Sequence, residues 1–395
     1  QRAEVVAEAL AAIAPDHGAG GAASAAAQTL LAAVVKASMA QATRPQQALD
    51  EPTLYTLLPP VREFALEQCG ADEPQRVRVA LRRWLAAQLQ ERLPREERLL
   101  RHDWPLSTPL ILSAAQDGAP ATALALAVAA RGLWNLQAPG PATVKALQRA
   151  AEREHDPVLA SQSQSLLALI SMHASDGEAA MAHAEAALAK APDDLRRAMA
   201  LTLLSNLWLF RGGEPARAEA WLDEALACAE RSGDASALAQ ALRMQAVLAV
   251  NHREDLATAE PLMRRSLRLY ESLGNLGQMR QCQLDLAACL GAGRERASVA
   301  LLQACVGAWR AENEPVSLAR GLAQLGRFQL RLAQPALAEA NLRESLQYAR
   351  ATGQHGLVML ALLHLPEAWV LQGRAKPAAL LQGYFHADWQ RGIGT

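Results

Sequence analysis

Lysine and aromatic residues are scarce in this chain of 395 residues. Phe, Trp and Tyr together account for 4% of the sequence. Lysine occurs at four positions, namely Lys36, Lys145, Lys190 and Lys376. A phosphate-binding P-loop needs a Gly-Lys-Ser/Thr sequence so that the lysine reaches the β- and γ-phosphates. None of the four lysines follows a glycine, so the sequence excludes ATP hydrolysis by a P-loop within this chain.

Cysteine, long apolar runs and metal-ligand patterns are also sparse. The five cysteines are scattered without a Cys-x-x-Cys spacing, which indicates reduced thiols in a cytoplasmic protein. No apolar run approaches the roughly 18 residues that span a bilayer, and no histidine pair has the spacing of a zinc site. No Ser/His/Asp or Cys/His motif is recognisable. We therefore predict a chain that is not an enzyme and has no cofactor and no membrane partner.

Alanine and leucine, in contrast, are abundant. Hydrophobic residues make up 51% of the sequence, and alanine is the best helix former. Small apolar side chains suit close helix packing, so we expect a nearly all-α chain with two or three domains. The net charge of -1 gives the chain as a whole no attraction to nucleic acid or anionic membranes.

The two ends of the sequence look incomplete. The first residues, QRAEVVAEAL, lack an initiator Met and start within a helical pattern. The last residues, DWQRGIGT, do not complete an element. We expect the chain to be part of a longer protein.

The second half of the sequence contains an internal repeat. A glycine or asparagine that can end a helix recurs at intervals of 41, 39 and 40 residues, at Gly233, Gly274, Asn313 and Gly353. A second marker keeps the same intervals. Its copies AEAWLDEAL, AEPLMRRSL, SVALLQACV and AEANLRESL start at Ala218, Ala259, Ser298 and Ala338. Two independent markers with one period predict stacked structural units.

Each repeat is predicted to be a helical hairpin. In one unit a helix over Leu195–Arg211 ends at a Gly-Gly pair, and a second helix covers Glu214–Arg231. A lone hairpin cannot bury its apolar face, so neighbouring hairpins must stack. The unit around Gly326 and Ala338 resembles a tetratricopeptide repeat (TPR), although the period near 40 exceeds the usual value of about 34. A TPR-like α-α superhelix is the first interpretation, and a generic solenoid of helical hairpins is the alternative.

Residues 1–70 have a different pattern. Two helical segments are followed by two short strand-like segments, ASMAQAT and PTLYTLL, and then by a helix over Val61–Cys69. Helix, helix, hairpin and helix is the order of elements in a winged-helix module. We therefore predict a winged-helix module over residues 1–70, a helical linker with atypical first hairpins over residues 71–138, and TPR-like repeats over residues 139–395.

The front segment is similar to a known family. The sequence LAAVVKASMAQ…LYTLLPPVREFALEQ resembles the winged-helix segment of bacterial STAND regulators, the signal-transduction ATPases with numerous domains. The resemblance continues through RHDWPLSTPLILSAAQDG to AALLQGYFHADWQRGIGT, so it covers most of the chain. It implies a transcriptional regulator with ATP and Mg²⁺ bound in an upstream domain. It also implies that DNA is contacted by another domain and that a TPR arm senses a ligand or a partner.

The strand-to-helix segment Leu54–Gln68 departs from many members of the wider superfamily. Those members end this strand with Met-His-Asp, and the resemblance places Leu57, Leu58 and Pro59 at the same positions. None of these side chains can donate a hydrogen bond to a phosphate. We expect the segment to dock against the upstream ATPase domain instead, with Arg62 as the charged side chain at that interface. A solvated helix arginine is the alternative.

Basic residues are too few near the start of the chain to support DNA binding there. Residues 1–60 contain three basic and five acidic side chains, and DNA affinity depends on neutralising phosphates. The one basic stretch, Arg76–Arg101, has eight arginines and three glutamates above an apolar stripe of Leu81, Trp84, Leu85 and Leu89. We interpret it as an amphipathic helix with a solvated arginine face that breaks at Pro94. Contact with DNA or with an acidic domain is the alternative.

The function predicted from these patterns is that of a non-catalytic sensor segment. In a TPR superhelix the first helix of each hairpin lines the concave face, where a protein or small-molecule effector would bias an on/off equilibrium. The polar residues predicted to contact this effector are Arg243, Gln283, Arg320, Gln324 and His364. A stand-alone TPR scaffold or adaptor that binds peptides or proteins is the alternative.

Overall fold

The described part of the chain is nearly all helical, as the composition predicts. The computed structural model describes residues 72–92, 104–131 and 139–392 apart from a few loop positions, with two strands and isolated residues between 29 and 60. The strands are β1 (Ala40–Thr43) and β2 (Leu54–Leu57). The helices before Gly212 are α1 (Glu73–Arg92), α2 (Trp104–Gln116), α3 (Pro120–Ala129), α4 (Pro141–Glu152), α5 (Pro157–His173), α6 (Gly177–Ala189) and α7 (Asp194–Phe210). The helices after it are α8 (Pro215–Ser232), α9 (Ala235–His252), α10 (Leu256–Ser272), α11 (Leu276–Cys289), α12 (Glu295–Ala311), α13 (Pro315–Arg331), α14 (Pro335–Ala351), α15 (His355–Leu371) and α16 (Ala375–Gly392).

The two short strands predicted near the start are present. β1 and β2 pair antiparallel, with Ala40 opposite Leu57 and Thr43 opposite Leu54. The helix predicted over residues 61–69, with Arg62, and most of the first 39 residues lie outside the described residues. The winged-helix module therefore stays a prediction.

The chain divides into two compact units, residues 1–212 and 213–395. The division falls at the predicted glycine break, where Gly212 has a left-handed φ of 75°. The helices on either side, α7 and α8, match the predicted pair to within one residue at each end. The region boundaries predicted after residues 70 and 138 stay predictions.

Part of the arginine-rich stretch packs within the first unit. α1 packs against α2 and α3, and its predicted apolar stripe is buried in their common core. Arg82 is buried and forms an ion pair with Asp117, which follows α2. Arg78 donates to the same carboxylate, with Nε 3.3 Å from Oδ2. These two arginines therefore stabilise the unit, and contacts of the rest of the stretch with DNA or an acidic domain stay a prediction.

Helix starts follow from local chemistry in both units. A side chain just before the helix accepts a hydrogen bond from a backbone N–H of the first turn, which would otherwise have no partner. These capping residues are Asp156, Asp176, Asp193, Asp234, Asp255 and Asn275. Proline begins six of the helices, in the position where its missing N–H costs nothing.

The second unit repeats a helical hairpin with the predicted period. The first helices α9, α11, α13 and α15 begin 41, 39 and 40 residues apart, and each packs against the helix that follows it. Gly233 and Gly274 follow α8 and α10 in the left-handed conformation, whereas Asn313 and Gly353 lie outside the described residues. The second helices bury the marker positions completely, at Ala218, Ala259, Ser298 and Ala338 and one turn later at Leu222, Met263, Leu302 and Leu342. The period of the sequence is therefore the period of the packing.

Ion pairs join consecutive hairpins of the second unit at a regular spacing. In each pair, a glutamate follows the buried marker position and an arginine follows the next first helix. The pairs are Glu219–Arg253, Glu260–Arg294 and Glu339–Arg374. The chain thus neutralises these arginines with its own carboxylates where they connect repeats.

Acid is expected to weaken the last of these connections. Burial raises the pKa of Glu339, but hydrogen bonds from Gln372, Trp369 and Arg374 outweigh it and hold this pKa below 4.5. Its stabilising effect is therefore complete above the unfolded-state pKa and is lost as the pH falls through the folded-state pKa. We expect Glu339→Gln to cost about 2 kcal/mol at pH 7, and the difference from wild type to shrink toward pH 3. Urea unfolding at several pH values measures it, and a pH-independent difference would contradict the assignment.

The described cysteines are expected to be chemically inert. Cys228, Cys282, Cys289 and Cys305 are buried thiols outside any disulfide. Burial raises the pKa of Cys289 to about 12 and that of Cys305 to about 11, so the reactive thiolate is rare at neutral pH. In a Cys69→Ala background, we expect no thiol to react with Ellman's reagent in native protein and all four to react after denaturation. A fast-reacting thiol in the native protein would contradict this burial.

Candidate ligand-binding surface

A network of polar side chains crosses the first helices of the second unit. These helices, α9, α11, α13 and α15, form one layer of a hairpin solenoid, the layer that such folds use for extended binding surfaces. The predicted contact residues lie on all four: Arg243 on α9, Gln283 on α11, Arg320 and Gln324 on α13, and His364 on α15. The structure joins two of them through residues that the sequence did not single out.

Arg243 is held by an ion pair with Asp285 of the next hairpin. Its Nη1 lies 2.6 Å from Oδ2 of Asp285, and the two side chains are 18% and 17% exposed. Burial disfavours the charged guanidinium, but the carboxylate outweighs it and raises the pKa of Arg243. This charge pair therefore links α9 to α11 below the surface.

Gln281 extends the ion pair to α13. Its Nε2 donates to Oδ1 of Asp285 at 3.2 Å, and its Oε1 accepts from Nη1 of Arg320 at 3.0 Å. Arg320 is exposed by surface area, yet desolvation lowers its pKa. Both hold for a group that protein atoms surround on several sides while water still reaches it. The side chains of Arg243, Asp285, Gln281 and Arg320 thus form one series of contacts across α9, α11 and α13. These are three of the first helices of the hairpins, which are also the inner helices of the solenoid.

Helix α13 carries a polar stripe along this layer. Arg320, Gln324, Arg327 and Arg331 follow one another at steps of four, three and four residues, which places them on one helix face. The Oε1 of Gln324 and the Nε of Arg327 are buried and have no hydrogen-bond partner among the described residues. Burial lowers the pKa of Arg327, and the charge of Arg331 lowers it further. Positive charge is therefore concentrated on α13, with polar atoms left unsatisfied.

His364 continues the layer on α15. It is the tenth residue of its helix, the position that Gln324 has on α13 and Asp285 has on α11. Burial lowers the pKa of His364, as do the charges of Arg327 and Arg331, while Glu367 opposes them. The imidazole is therefore neutral near pH 7, where it can both donate and accept a hydrogen bond.

Gln283 is not brought into this network. Its Oε1 accepts from the Cys305 thiol of α12 at 3.6 Å, and it lies two residues from Gln281, on another face of α11. Sequence reasoning also missed Arg327 and Arg331, although their spacing from Arg320 was visible. Asp285 had no such signal, because its role depends on a partner 42 residues away.

Neither a metal centre nor a membrane span emerges from the described residues. Within them, no group of three or more His, Cys, Asp or Glu side chains could hold a metal ion. No helix among them combines the length and apolar character needed to cross a bilayer. The polar layer on α9, α11, α13 and α15 is therefore the candidate functional surface.

Comparisons with known proteins reveal likeness at the level of fold. No family model and no curated protein matches the sequence. The STAND protein with a tetratricopeptide repeat sensor from Pyrococcus horikoshii is 13% identical, with a TM-score of 0.55. The match covers 96% of this chain and 56% of that one, so this chain spans just over half its length.

Two other solved structures are similar over most of their own length. A Rap protein complexed with competence and sporulation factor is 12% identical over 78% of this chain and 92% of that chain, with a TM-score of 0.52. Aspartyl phosphate phosphatase F from Bacillus subtilis is 12% identical over 84% of this chain and 87% of that chain, with a TM-score of 0.53. The chain therefore has the TPR-like helical-repeat fold that its period predicts.

Proposed function

We propose that this chain is the sensor segment of a STAND-type transcriptional regulator and that its inner helices bind an effector. The observation that carries the proposal is the polar network on α9, α11 and α13, which ends at Arg320 on a helix face whose three arginines form no salt bridge in the described part of the chain. A purely structural layer would neutralise them, as the chain does between its hairpins. A surface kept charged and incompletely satisfied suits a ligand that completes it.

The assignment to a STAND-type protein rests on the front segment. The sequence resemblance over residues 54–68 is supported by the β1–β2 hairpin, whose second strand is Leu54–Leu57. The STAND protein from Pyrococcus horikoshii has a similar fold over nearly all of this chain. In this proposal residues 1–70 dock on an upstream ATPase domain that holds ATP and Mg²⁺, with Arg62 at the interface. DNA is contacted by another domain.

The sensor would act by shifting a conformational equilibrium and not by chemistry of its own. An effector changes the balance between two states only as far as it binds one more tightly than the other. Moving the population from 1:99 to 99:1 requires a difference of about 10⁴-fold in affinity. A layer that crosses three hairpins can supply such a difference, since a change in the angle between hairpins separates groups that one ligand contacts together.

The full-length protein tests this proposal. We expect a Gly-x-x-x-x-Gly-Lys-Ser/Thr motif in the coding sequence within about 300 residues upstream of Gln1. We also expect Arg320→Gln/Arg327→Gln in that protein to change its ATPase rate or nucleotide exchange, while Arg265→Gln/Arg268→Gln on α10 does not. The absence of any such motif would overturn the regulator and favour a stand-alone TPR scaffold. An unchanged ATPase rate and nucleotide exchange would overturn the sensor role of the inner face.

A further inference from the structure

The arginines of α13 lack the carboxylate partners that the second unit provides elsewhere. Between hairpins, three glutamates and three arginines pair in a regular series. No described carboxylate forms a salt bridge with Arg320, Arg327 or Arg331. The charge of Asp285 acts on Arg320, and that of Glu295 on Arg331, without ion-pair contact, so two carboxylates partly offset three arginines. The inner face of α13 therefore has excess positive charge in the described part of the chain.

This excess charge lies beside buried polar atoms that have no partner. Gln324 and Arg327 lie within one turn of each other on this stripe. The Oε1 of Gln324 and the Nε of Arg327 make no hydrogen bond among the described residues. A buried polar group without a hydrogen-bond partner destabilises the folded protein. Carboxylate groups of a ligand would offset the excess positive charge.

The spacing of the arginines decides the kind of ligand. Because an α-helix rises 1.5 Å per residue, Arg320 and Arg327 are separated along α13 by about 10 Å, and Arg327 and Arg331 by about 6 Å. One phosphate or one carboxylate is too small to meet more than one or two of them. An extended peptide advances about 3.3 Å per residue and turns every second side chain to the same side. Acidic side chains four and then two residues apart therefore face the stripe at spacings of about 13 and 7 Å, which long arginine side chains can meet.

We propose that the polar stripe of α13 binds an extended acidic peptide. Its arginines Arg320, Arg327 and Arg331 recognise the side-chain carboxylates of the peptide. The inference rests on the proposed function in one respect, since it takes the inner helices as the ligand-binding face. Guanidinium groups can bind carboxylates through two parallel hydrogen bonds, which gives directional recognition as well as attraction. Gln324 belongs to this stripe, and the neutral His364 lies beside it. Both side chains can form hydrogen bonds with the backbone of the peptide, whatever the charge of its side chains.

The test uses two capped peptides with the same fluorescent label. One is Glu-Ser-Ser-Ser-Glu-Ser-Glu, which places all three glutamates on one side of an extended chain, and the other replaces each Glu by Gln. We expect fluorescence anisotropy at low ionic strength to show binding of the glutamate peptide that weakens as salt is added. The glutamine peptide should bind at least about tenfold more weakly. Equal affinity for the two peptides, or no binding of the glutamate peptide, would overturn the proposal.

A charge-matched pair of variants locates the site. Arg320→Gln/Arg327→Gln is expected to weaken binding of the glutamate peptide by at least about tenfold. Arg265→Gln/Arg268→Gln removes the same charge from exposed positions of the second helix α10 and should leave it unchanged. The first variant should keep the circular dichroism spectrum of wild type, because at Arg320 it removes one hydrogen bond, to Gln281, at an exposed position. Equal weakening in both variants would overturn the proposal, since it would reflect net charge alone.

Inorganic phosphate distinguishes a peptide site from a simple anion site. If phosphate displaces the peptide at concentrations no higher than the peptide itself, a single-anion site is present and the proposal fails. Failure of the peptide leaves the proposed sensor function standing, provided that the inner-face variant still alters the ATPase rate of the full-length protein. The two conclusions can therefore fail separately.

Discussion

Gly326→Val is expected to lower the free energy of unfolding of the second unit by about 3 kcal/mol. A Cβ atom at Gly326 would lie 2.7 Å from Cγ of Leu342 and 3.2 Å from the carbonyl oxygen of Ala338. Both neighbours are fully buried marker residues of α14. The carbonyl cannot move without shifting the helix, so a branched side chain must push α13 and α14 apart. Urea unfolding followed by circular dichroism at 222 nm measures the loss.

Gly307→Ala is the matched control for this glycine. Gly307 lies inside helix α12 and is exposed, and a Cβ there would meet nothing within 4 Å. Because glycine costs a helix interior about 0.5–1 kcal/mol relative to alanine, we expect this change to stabilise the protein. A Gly326→Val protein as stable as wild type would show that the two helices are not in close contact there.

Asp285→Leu is expected to destabilise the second unit by about 3 kcal/mol, the second large effect that the structure predicts. The substitution removes the only described carboxylate that pairs with Arg243 and also takes the partner of the Gln281 amide. Arg243 would then keep its charge with 18% of its side chain exposed, while its Nε already lacks a partner. The measurement is again urea unfolding, at pH 7.

Arg243→Met in the same protein should restore most of that loss. Replacing both members of a buried ion pair by apolar residues of similar volume is often close to neutral, whereas removing one member leaves an uncompensated charge. The double-mutant cycle therefore isolates the interaction between the two side chains. A double variant no more stable than Asp285→Leu alone would mean that the loss comes from packing and not from the stranded guanidinium.

The two kinds of arginine in the second unit explain how stability and binding are separated. Arg253, Arg294 and Arg374 lie between hairpins and pair with glutamates, so they support the solenoid without a ligand. Arg327 and Arg331 lie on the inner face, where their charges repel each other. Burial and the charge of Arg331 lower the pKa of Arg327. A face that is less stable alone than it would be with neutral side chains is expected at a functional surface.

The polar stripe of α13 is the part of the candidate surface that the sequence could have predicted completely. Arg320 and Gln324 were identified because the repeat period locates the first helix of each hairpin. Arg327 and Arg331 continue the same stripe at helical spacing and could have been added by that rule. Gln283 shows the limit of the rule, because a shift of two residues turns a side chain to another face of the helix.

The repeat, its period and the buried positions of the second helices can be read from the sequence alone. This follows because each hairpin contacts mainly its neighbours, so that local period and packing period coincide. The pairing of Asp285 with Arg243, the link from Gln281 to Arg320 and the lack of salt bridges to the α13 arginines emerge only from the packing of different repeats. Those facts depend on which side chains from different repeats meet across the inner layer, and contacts between residues some 40 positions apart leave no periodic signal in one sequence.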